Sequence, residues 1–448
     1  MSTGLLAWGM ADHVTFLILG GTGDLARRLL IPGIAEQLDA HPDAPVRLIG
    51  SGRSGVENYP RLIHEALSGR DTPDDAPSNR LAHTARYLPA DATDPTALQQ
   101  LVDAAGPDTR LILYFALSPT VTADALTALA GVELPADTIL ALEKPFGEDA
   151  DSATDLNRQL LALTDEDHIF RVDHFLFETA VSNLTGLVGA NALFSAGWHR
   201  EAVASVEIHY EESLGLEGRA DFYEHTGAVR DMLQSHLLQV MAHALAAGST
   251  DTTTDILAAT RIDQASVRRA RYTAGRIDGR DLPAYTDEEG VDPDHGTETL
   301  FQLTAWVDAE RWRDVPVTLR SGKAIGNPRR EIIVTYHRHG SADELDINPG
   351  TRLIFPFTDD VAVEVNVSDH GYRDALQRVN LSSELVPSRL SAYGRVVRAL
   401  AGADTSSEVA AHDPVLSWEV IAPVLDAFTE DRVPLEEYPA GSRGPQGW

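Results

Sequence analysis

The sequence predicts an α/β domain with a parallel sheet, followed by a larger α+β domain built on an antiparallel β-sheet with helices. Three observations support this prediction. At 448 residues with 43% hydrophobic content, the chain exceeds the usual size of a single core. Up to about residue 170, short apolar runs alternate with helical stretches, whereas alternating runs rich in β-branched residues dominate from about residue 200. We therefore place the domains at residues 1–170 and 171–448.

The first domain begins with a strand, turn, helix and strand. Val14–Leu19 is a continuous apolar run, Leu25–Leu38 has helical periodicity, and Val46–Gly50 is a second apolar run. Short runs of this kind are typical of strands that are buried on both faces of a parallel sheet. The pattern continues in two more apolar runs and two helical stretches, which are Leu111–Leu117, Thr138–Glu143, Pro95–Ala105 and Thr120–Ala130.

The second domain has the sequence pattern that is typical of antiparallel strands. Its alternating β-branched runs are Ala204–Tyr210, Val315–Arg320, Glu331–His337 and Val361–Val367. Ala228–Ala246 is the clearest helical pattern, because an apolar stripe recurs every three or four residues. Polar stretches rich in Asp, Gly and Thr are predicted to be exposed loops, at residues 69–80, 248–255 and 279–297.

The composition limits the partners. A formal net charge of −32 argues against nucleic acids and anionic membranes, because both reward clustered basic residues. The absence of cysteine excludes disulfides and thiolate catalysis. The start of the chain lacks the basic segment and apolar core of a signal peptide, and no run reaches membrane-spanning length. We therefore expect a cytoplasmic protein that acts on a small molecule.

A glycine-rich turn follows the first predicted strand. In FLILGGTGDLARR, Gly21, Gly23 and Ala26 form a G-x-G-x-x-A pattern. Such glycines let backbone N–H groups approach a pyrophosphate at a helix N-terminus. The context predicts dinucleotide binding in a Rossmann domain, with a purely structural turn as the alternative. The residues that would line the phosphates are Gly20, Gly21, Thr22, Gly23, Asp24 and Leu25.

The end of the second predicted strand indicates which dinucleotide binds. A site for NAD places a carboxylate there to receive the ribose 2′-hydroxyl. Here the strand runs into LIGSGRS, where Ser51 and Arg53 suit a 2′-phosphate. We predict NADP, with NAD as the alternative cofactor and a solvated surface side chain as the alternative for Arg53.

Three histidines are candidates for the base that a hydride transfer from an alcohol needs. His236 lies at the edge of the apolar stripe of the long helix, with Asp231 near the start of that helix. His174 follows Asp173 directly, and His225 lies in a predicted loop. A hydrogen-bonded core histidine is the alternative for His236, and a polar pair at a strand end is the alternative for Asp173 and His174.

Seven segments of the chain resemble glucose-6-phosphate dehydrogenases in order and spacing. They are GGTGDLARR, LYFALSPT, LEKPFGED, RVDHFLFE, GRADFYEHTGAVRDMLQSHLLQ, VPVTLRSGKAI and GSRGP. The resemblance covers almost the whole chain. It implies a Rossmann domain followed by a larger domain on an antiparallel sheet, and assembly as a homodimer or a dimer of dimers. The implied reaction is oxidation of C1 of a hexopyranose to the 1,5-lactone, with hydride transfer to the nicotinamide.

The resemblance also implies roles for single residues. His236 would be the general base, and Asp173 the carboxylate that orients its imidazole and stabilises the charged form. Lys144 would contact both substrate and cofactor, while Ala116 and Leu117 would line the cofactor. The remaining substrate positions that it implies are His174, Glu212, Asp231 and Lys323. We add Phe175 and Glu178, which stand where the family contacts the phosphate, and Arg329, which could supply a replacement contact.

The lysine content supports two of these roles. Of the 36 basic residues only Lys144 and Lys323 are lysines, and both stand in quoted motifs. A compact ammonium fits where a planar guanidinium does not, so their retention indicates a requirement for that shape. Chance placement is the alternative.

The sequence departs from the family at the positions that grip the sugar phosphate. In the family the Asp-His pair is followed by Tyr, and a Lys stands four residues after the His; here these positions hold Phe175 and Glu178. A basic residue five positions after the SGK lysine is replaced by Pro328. A carboxylate in a phosphate cradle would repel the substrate. We therefore predict a substrate without the 6-phosphate, such as glucose, another neutral sugar or an amino sugar whose ammonium pairs with Glu178.

Two alternatives stand beside this prediction. In the first, the chain is an authentic glucose-6-phosphate 1-dehydrogenase of the pentose phosphate pathway, in which Arg329 or Arg330 replaces the missing ligands. In the second it is a catalytically silent regulatory homologue, and the retention of the chemical groups argues against that. No spacing of His and carboxylate residues predicts a metal site.

Overall fold

The chain divides into two compact units. The computed structural model describes residues 13–42, 46–70, 73, 76–338, 350–369, 376–402, 404 and 407–448. The first unit comprises Met1–Phe177 and Ser388–Pro414, and the second comprises Glu178–Pro387 and Val415–Trp448. This division differs from the predicted domains, because the chain returns to the first unit after residue 387. There, helix Ala392–Gly402 packs on helix Ile31–Ala40.

The first unit is built on a parallel six-stranded sheet. Its strands are β1 (Val14–Leu19), β2 (Val46–Gly52), β3 (Arg86–Pro89), β4 (Arg110–Phe115), β5 (Ile139–Glu143) and β6 (Ile169–Val172). The order across the sheet is β3-β2-β1-β4-β5-β6. Every residue of β1 is buried, which explains its unbroken apolar run. The predicted Rossmann-type sheet is thus confirmed.

Helices connect these strands. A π-helical turn, Ala26–Leu30, continues directly into Ile31–Ala40 after the glycine turn. Helix Pro95–Ala105 coincides with its prediction, and its N-cap Asp94 accepts a hydrogen bond from the Thr96 N–H. The other helices of this unit are Tyr59–Ala66, Pro77–Arg80, Leu81–Thr84, Pro119–Leu129, Ala150–Leu163, Glu166–His168, His174–Phe177 and Ala392–Gly402.

The second unit is built on a ten-stranded sheet. Its strands are β7 (Val203–Glu211), β8 (Thr260–Ile262), β9 (Arg268–Thr273), β12 (Leu300–Val307), β13 (Val317–Gly322), β14 (Arg330–Tyr336), β15 (Arg352–Pro356), β16 (Asp360–Ser368), β17 (Leu376–Glu384) and β18 (Leu435–Pro439). The order is β17-β16-β15-β14-β7-β13-β12-β9-β18, with β8 beside β12. A separate pair consists of β10 (Gly275–Ile277) and β11 (Arg280–Leu282).

This second sheet is mainly antiparallel, as predicted, and it also contains two parallel pairs that the sequence did not indicate. β7 pairs with β13 and β9 pairs with β18 in parallel, while the other pairs of the large sheet are antiparallel. Parallel neighbours need a long connection, and helices and further strands separate β7 from β13 along the chain. The α+β character of the unit is confirmed.

Several predicted loops contain regular structure. Helix Thr253–Ala258 lies at the end of the predicted loop 248–255, and β11 lies within 279–297. His225, predicted in a loop, lies in helix Ala220–Ala228. The other helices of the second unit are Thr179–Ala190, Ala192–Ser195, Val229–Leu237, Leu238–Ala246, Gln264–Ser266, Tyr285–Asp287, Pro293–His295 and Asp413–Thr429, of which the last begins in the first unit. Within the described residues, no helix combines the length and apolar composition that crossing a membrane requires.

Candidate active site

The glycine turn packs tightly against the neighbouring strands of the first unit. Gly20 and Gly21 both donate their N–H to the Ser51 carbonyl at 2.9 Å, and Gly23 donates to the Gly20 carbonyl at 2.9 Å. Gly20 has a φ of 87°, and a Cβ there would lie 2.2 Å from the Ala116 carbonyl oxygen. Only glycine fits such a position. The turn therefore has the close backbone packing that a pyrophosphate cradle needs at a helix start.

The side chains of the turn point to protein partners. Thr22 hydrogen bonds with the Tyr87 phenol, and the exposed Asp24 carboxylate pairs with Arg28 at 3.3 Å. Leu25 packs against the core of the first unit. The N–H groups of Gly20, Gly21 and Gly23 already have carbonyl partners, so a phosphate at this turn would have to be held by other backbone N–H groups.

At the end of β2 the two predicted 2′-phosphate ligands have different surroundings. Ser51 is 1% exposed, and its hydroxyl donates to the Leu88 carbonyl at 2.7 Å. Arg53 is exposed, one residue after the strand. Arg53 is thus the better placed of the two to meet an anion from solvent.

A cavity of about 290 Å³ opens beside the ends of β4 and β5. Leu117, Glu143, Lys144 and Pro145 are among its lining residues. The carboxyl ends of parallel strands are where such sheets bind ligands. The structure therefore brings Lys144 and Leu117, both predicted to contact the cofactor, to one cavity.

Glu143 is a half-buried carboxylate at this edge. Its Oε1 accepts hydrogen bonds from the Tyr114 hydroxyl at 2.5 Å and from the Tyr393 hydroxyl at 3.1 Å. Burial raises the pKa of Glu143 to about 7, although the two hydroxyl donors and the Lys144 ammonium act in the opposite direction. Glu143 therefore exchanges its proton near neutral pH.

Asp173 and His174 follow β6 in the first unit. Asp173 is 1% exposed, and its Oδ1 accepts the Phe175 N–H at 3.0 Å. The His174 ring stacks on Tyr393, with 5.1 Å between ring centroids, and meets the edge of Phe175 at 5.0 Å. Tyr393 thus connects His174 to the carboxylate of Glu143.

Asp231 and His236 lie on one helix of the second unit. The predicted helix is present, but its first half, Val229–Leu237, is π-helical. In an α-helix, residues five apart would project about 140° from each other. A π-helix bonds residues five apart, so it brings Asp231 and His236 towards the same face. His236 is 2% exposed.

Lys323 lies just after β13 and pairs with Glu212. Its Nζ is 2.6 Å from the Glu212 Oε2, and the lysine side chain is 5% exposed. The Nζ also lies 5.2 Å from the ring centroid of Tyr223. Burial, and then the negative charge of Asp231, raise the pKa of Tyr223. The structure therefore gathers Glu212, Asp231 and Lys323 around the Tyr223 ring.

The charge of Glu178 acts on the phenol of Tyr210. The pKa of Tyr210 is raised to about 12, first by burial, and the carboxylates of Glu212 and Glu178 add to this rise. Arg330 opposes it, because its guanidinium carbon lies 5.0 Å from the Tyr210 ring centroid. The Glu178 carboxylate and the Arg330 guanidinium thus have opposite effects on the pKa of Tyr210.

Arg329, one of the two arginines predicted as possible replacements for the missing phosphate ligands, has other partners. Its N–H donates to the Glu211 Oε2 at 2.8 Å, and its guanidinium lies 3.5 Å from the Glu211 Oε1. Tyr210 and Glu211 are successive residues of β7, so their side chains point to opposite faces of the sheet. Arg330, rather than Arg329, is the arginine on the side of Glu178.

Sequence reasoning missed three residues of this site. Tyr223 lies inside the GRADFYEHTG block, and Glu143 stands beside Lys144, but neither carried a signal of its own. Tyr393 is distant in sequence from the two residues that it contacts, Glu143 and His174. Contacts of such long sequence separation leave no local pattern to read.

Comparisons with known proteins agree with this architecture. Residues 17–183 match the family model described as glucose-6-phosphate dehydrogenase, NAD binding domain. Residues 187–448 match the model of the glucose-6-phosphate dehydrogenase C-terminal domain. The glucose-6-phosphate 1-dehydrogenase of Gluconobacter oxydans is 31% identical, over 96% of this chain and 94% of the relative. Glucose-6-phosphate 1-dehydrogenase 1 of Mycobacterium tuberculosis is also 31% identical, over 96% and 92%.

Two solved structures share the fold. A glucose-6-phosphate dehydrogenase in complex with glucose 6-phosphate aligns with a TM-score of 0.87 and 26% identity, covering 97% of this chain and 96% of the other. The enzyme from Mycobacterium avium aligns with a TM-score of 0.82 and 30% identity, covering 97% and 95%. The chain belongs to the glucose-6-phosphate dehydrogenase family, whose members are oxidoreductases that act on a sugar and carry a nicotinamide-nucleotide-binding domain.

Proposed function

We propose that the chain oxidises glucose 6-phosphate at C1 to the 1,5-lactone, with NADP as the hydride acceptor. His236 takes the proton of the C1 hydroxyl while the hydride leaves C1, so the C–O bond becomes a carbonyl. Asp173 is proposed as the carboxylate that stabilises the charged imidazole. A bound nicotinamide supplies the acceptor carbon for the hydride.

The placement of Arg330 carries the choice of substrate. The sequence predicted a substrate without the 6-phosphate, because Glu178 stands where the family has a lysine. Arg330 lies over the Tyr210 ring, and the charge of Glu178 also acts on the Tyr210 phenol, which supports a cation in the neighbourhood of the carboxylate. A guanidinium can offer two parallel donors to a phosphate. The relatives named as glucose-6-phosphate 1-dehydrogenases also favour glucose 6-phosphate over an unphosphorylated sugar as the substrate.

An unphosphorylated sugar is the second candidate substrate, and Glu178 itself favours it. This carboxylate is only half-buried and adds its charge to that of Glu212 at Tyr210. A neutral or amino sugar would meet less repulsion there than a phosphate would.

A substrate panel decides between the two candidates. We expect kcat/KM for glucose 6-phosphate to exceed those for glucose and glucosamine by at least about 100-fold, since charge-assisted contacts to phosphate contribute about 1.5–3 kcal/mol each. A preference of that size for an unphosphorylated sugar would reverse the assignment. If none of these sugars is oxidised while NADP still binds, the regulatory homologue becomes the better description.

Matched variants locate the phosphate grip. Arg330→Met should lower kcat/KM for glucose 6-phosphate by about 10- to 100-fold and leave kcat/KM for glucose within about 2-fold. Arg329→Met should have the smaller effect of the two, because its guanidinium pairs with Glu211. Glu178→Lys should raise the preference for the phosphorylated sugar, with Glu178→Gln intermediate. Equal effects of the two arginine variants would contradict the assignment of Arg330.

The cofactor preference is tested at Arg53. Arg53→Ala should raise the KM for NADP by about 10-fold and leave the KM for NAD nearly unchanged, since one charge-assisted contact to the 2′-phosphate is lost. Equal changes for both cofactors would show that Arg53 does not read the 2′-phosphate. The dimeric assembly and the cytoplasmic location stay predictions, and light scattering of the purified chain tests the first.

A further inference from the structure

Glu298 lies at the start of the helix that carries Asp231 and His236. Its side-chain Oε1 accepts the Val229 N–H at 2.9 Å, and its backbone carbonyl accepts the Ala228 N–H at 3.2 Å. The residue is 7% exposed. The first N–H groups of a helix have no partner within the helix, and a carboxylate there is favoured by the helix dipole. Glu298 therefore holds the first turn of this helix from outside it.

Gly227 makes this close approach possible. Its φ is 64°, which interrupts the preceding helix, and a Cβ would lie 2.6 Å from the Glu298 Oε1. The positive charges of Arg230 and Arg269 also act on the buried carboxylate of Glu298. The helix start, the glycine and the glutamate thus form one closely packed contact.

Thr299, the next residue, holds Lys323. Its backbone carbonyl accepts the Lys323 N–H at 2.9 Å. The Tyr438 hydroxyl donates to the Lys323 carbonyl at 2.6 Å and lies 3.0 Å from the Thr299 Oγ1. Because the phenol has one proton, the threonine hydroxyl donates to it, and the Thr299 Oγ1 in turn accepts the Tyr272 N–H at 3.0 Å. The N–H of Lys323 is thereby linked to Thr299 directly, and the carbonyl of Lys323 is linked to Thr299 through Tyr438.

We propose that Glu298 and Thr299 are positioning residues that keep the base-bearing helix and Lys323 in register in the second unit. The proposal rests on the proposed function, in which His236 and Lys323 act on one sugar. Neither Glu298 nor Thr299 needs to touch the substrate. Each acts through one group, Glu298 through the helix and Thr299 through Lys323.

The two residues should have different kinetic signatures. Glu298→Ala should lower kcat by about 10- to 100-fold, since a misplacement of about 1 Å in a catalytic group has effects of that size. Glu298→Gln keeps an oxygen acceptor for the Val229 N–H and should restore kcat to within about 5-fold of the original chain. Thr299→Val should instead raise the KM for the sugar by about 3- to 10-fold and change kcat little, because it keeps the backbone bond to Lys323 but removes the hydroxyl that orients Tyr438 on the Lys323 carbonyl.

Hydrogen exchange measured by mass spectrometry gives a readout that needs no substrate. Glu298→Ala should speed exchange in the peptide that covers residues 228–237, while exchange around the glycine turn stays unchanged. Glu224→Ala is the matched control, because Glu224 is also buried and its side chain bonds Tyr285, His295 and Thr297 but no N–H of the helix start. It should lower the thermal midpoint without faster exchange in that peptide and with kcat within about 3-fold.

The outcomes separate this proposal from the proposed function. Unchanged exchange in residues 228–237 of Glu298→Ala overturns the positioning role, whatever the substrate. Equal acceleration in Glu224→Ala overturns it too, since the effect would then be general destabilisation. Faster exchange confined to Glu298→Ala supports the role even if no sugar is turned over, in which case only the proposed function fails.

Discussion

The half-buried carboxyl of Glu143 should make the stability of the chain depend on pH between 5.5 and 8. Burial raises its pKa from the ordinary 4.5 to about 7, so the folded chain holds this proton over a range in which the unfolded chain releases it. Stability from this group is therefore complete below pH 4.5 and is lost as the pH rises to about 7. A shift of this size corresponds to about 3 kcal/mol at 1.36 kcal/mol per pH unit.

Glu143→Gln removes the titration and is the variant to compare. The measurements should be made above about pH 5.5, because a protein whose sequence pI is about 4.7 has little net charge near that pH and then aggregates more readily. About 2 kcal/mol of the total change falls between pH 5.5 and 8. Urea unfolding followed by circular dichroism at several pH values should show Glu143→Gln gaining about that much stability, relative to the original chain, as the pH rises.

Tyr114→Phe is the control for this experiment. It removes the hydroxyl that donates to Glu143 at 2.5 Å but leaves the carboxyl able to ionise. Tyr114→Phe should therefore not gain stability relative to the original chain as the pH rises, whereas Glu143→Gln should. If the original chain and Glu143→Gln gave parallel curves across this pH range, the reasoning about the buried proton would be refuted.

Two further predictions concern the turn and the lysine of the second unit. Gly20→Ala should weaken NADP binding by at least about 10-fold in a fluorescence titration and lower the thermal midpoint, because a Cβ would lie 2.2 Å from the Ala116 carbonyl oxygen and the φ of 87° would be strained. An unchanged affinity for NADP would contradict the prediction that this turn binds the pyrophosphate. Lys323→Met leaves the carboxylate of Glu212 without its ammonium at 2.6 Å, and should raise the KM for the sugar about 10-fold with a stability loss of about 1–3 kcal/mol. Lys323→Arg should recover the stability but not the KM, since a planar guanidinium does not replace a compact ammonium.

Much of the first unit follows from local pattern. β1 coincides with the apolar run Val14–Leu19, because a strand that is buried on both faces consists of consecutive apolar residues. Helix Pro95–Ala105 coincides with its predicted range, because a helix that is buried on one side has apolar residues every three or four positions. The mixed order of the second sheet could not be read in this way. Strand partners such as β7 and β13 are chosen by long connections, which leave no local signal.

The sequence by itself determined the chemical groups of this protein: a glycine turn with the G-x-G-x-x-A pattern, His236 with Asp231 on one helix, two lysines at motif positions, and Glu178 in place of a cation. Only the tertiary structure decided how these groups are arranged. The π-helical turn brings Asp231 and His236 towards one face, which a prediction based on 3.6 residues per turn cannot show. Alternation along β7 places Arg330, not Arg329, on the side of Glu178. These outcomes depend on packing between residues far apart in the chain, which leaves no local pattern in the sequence.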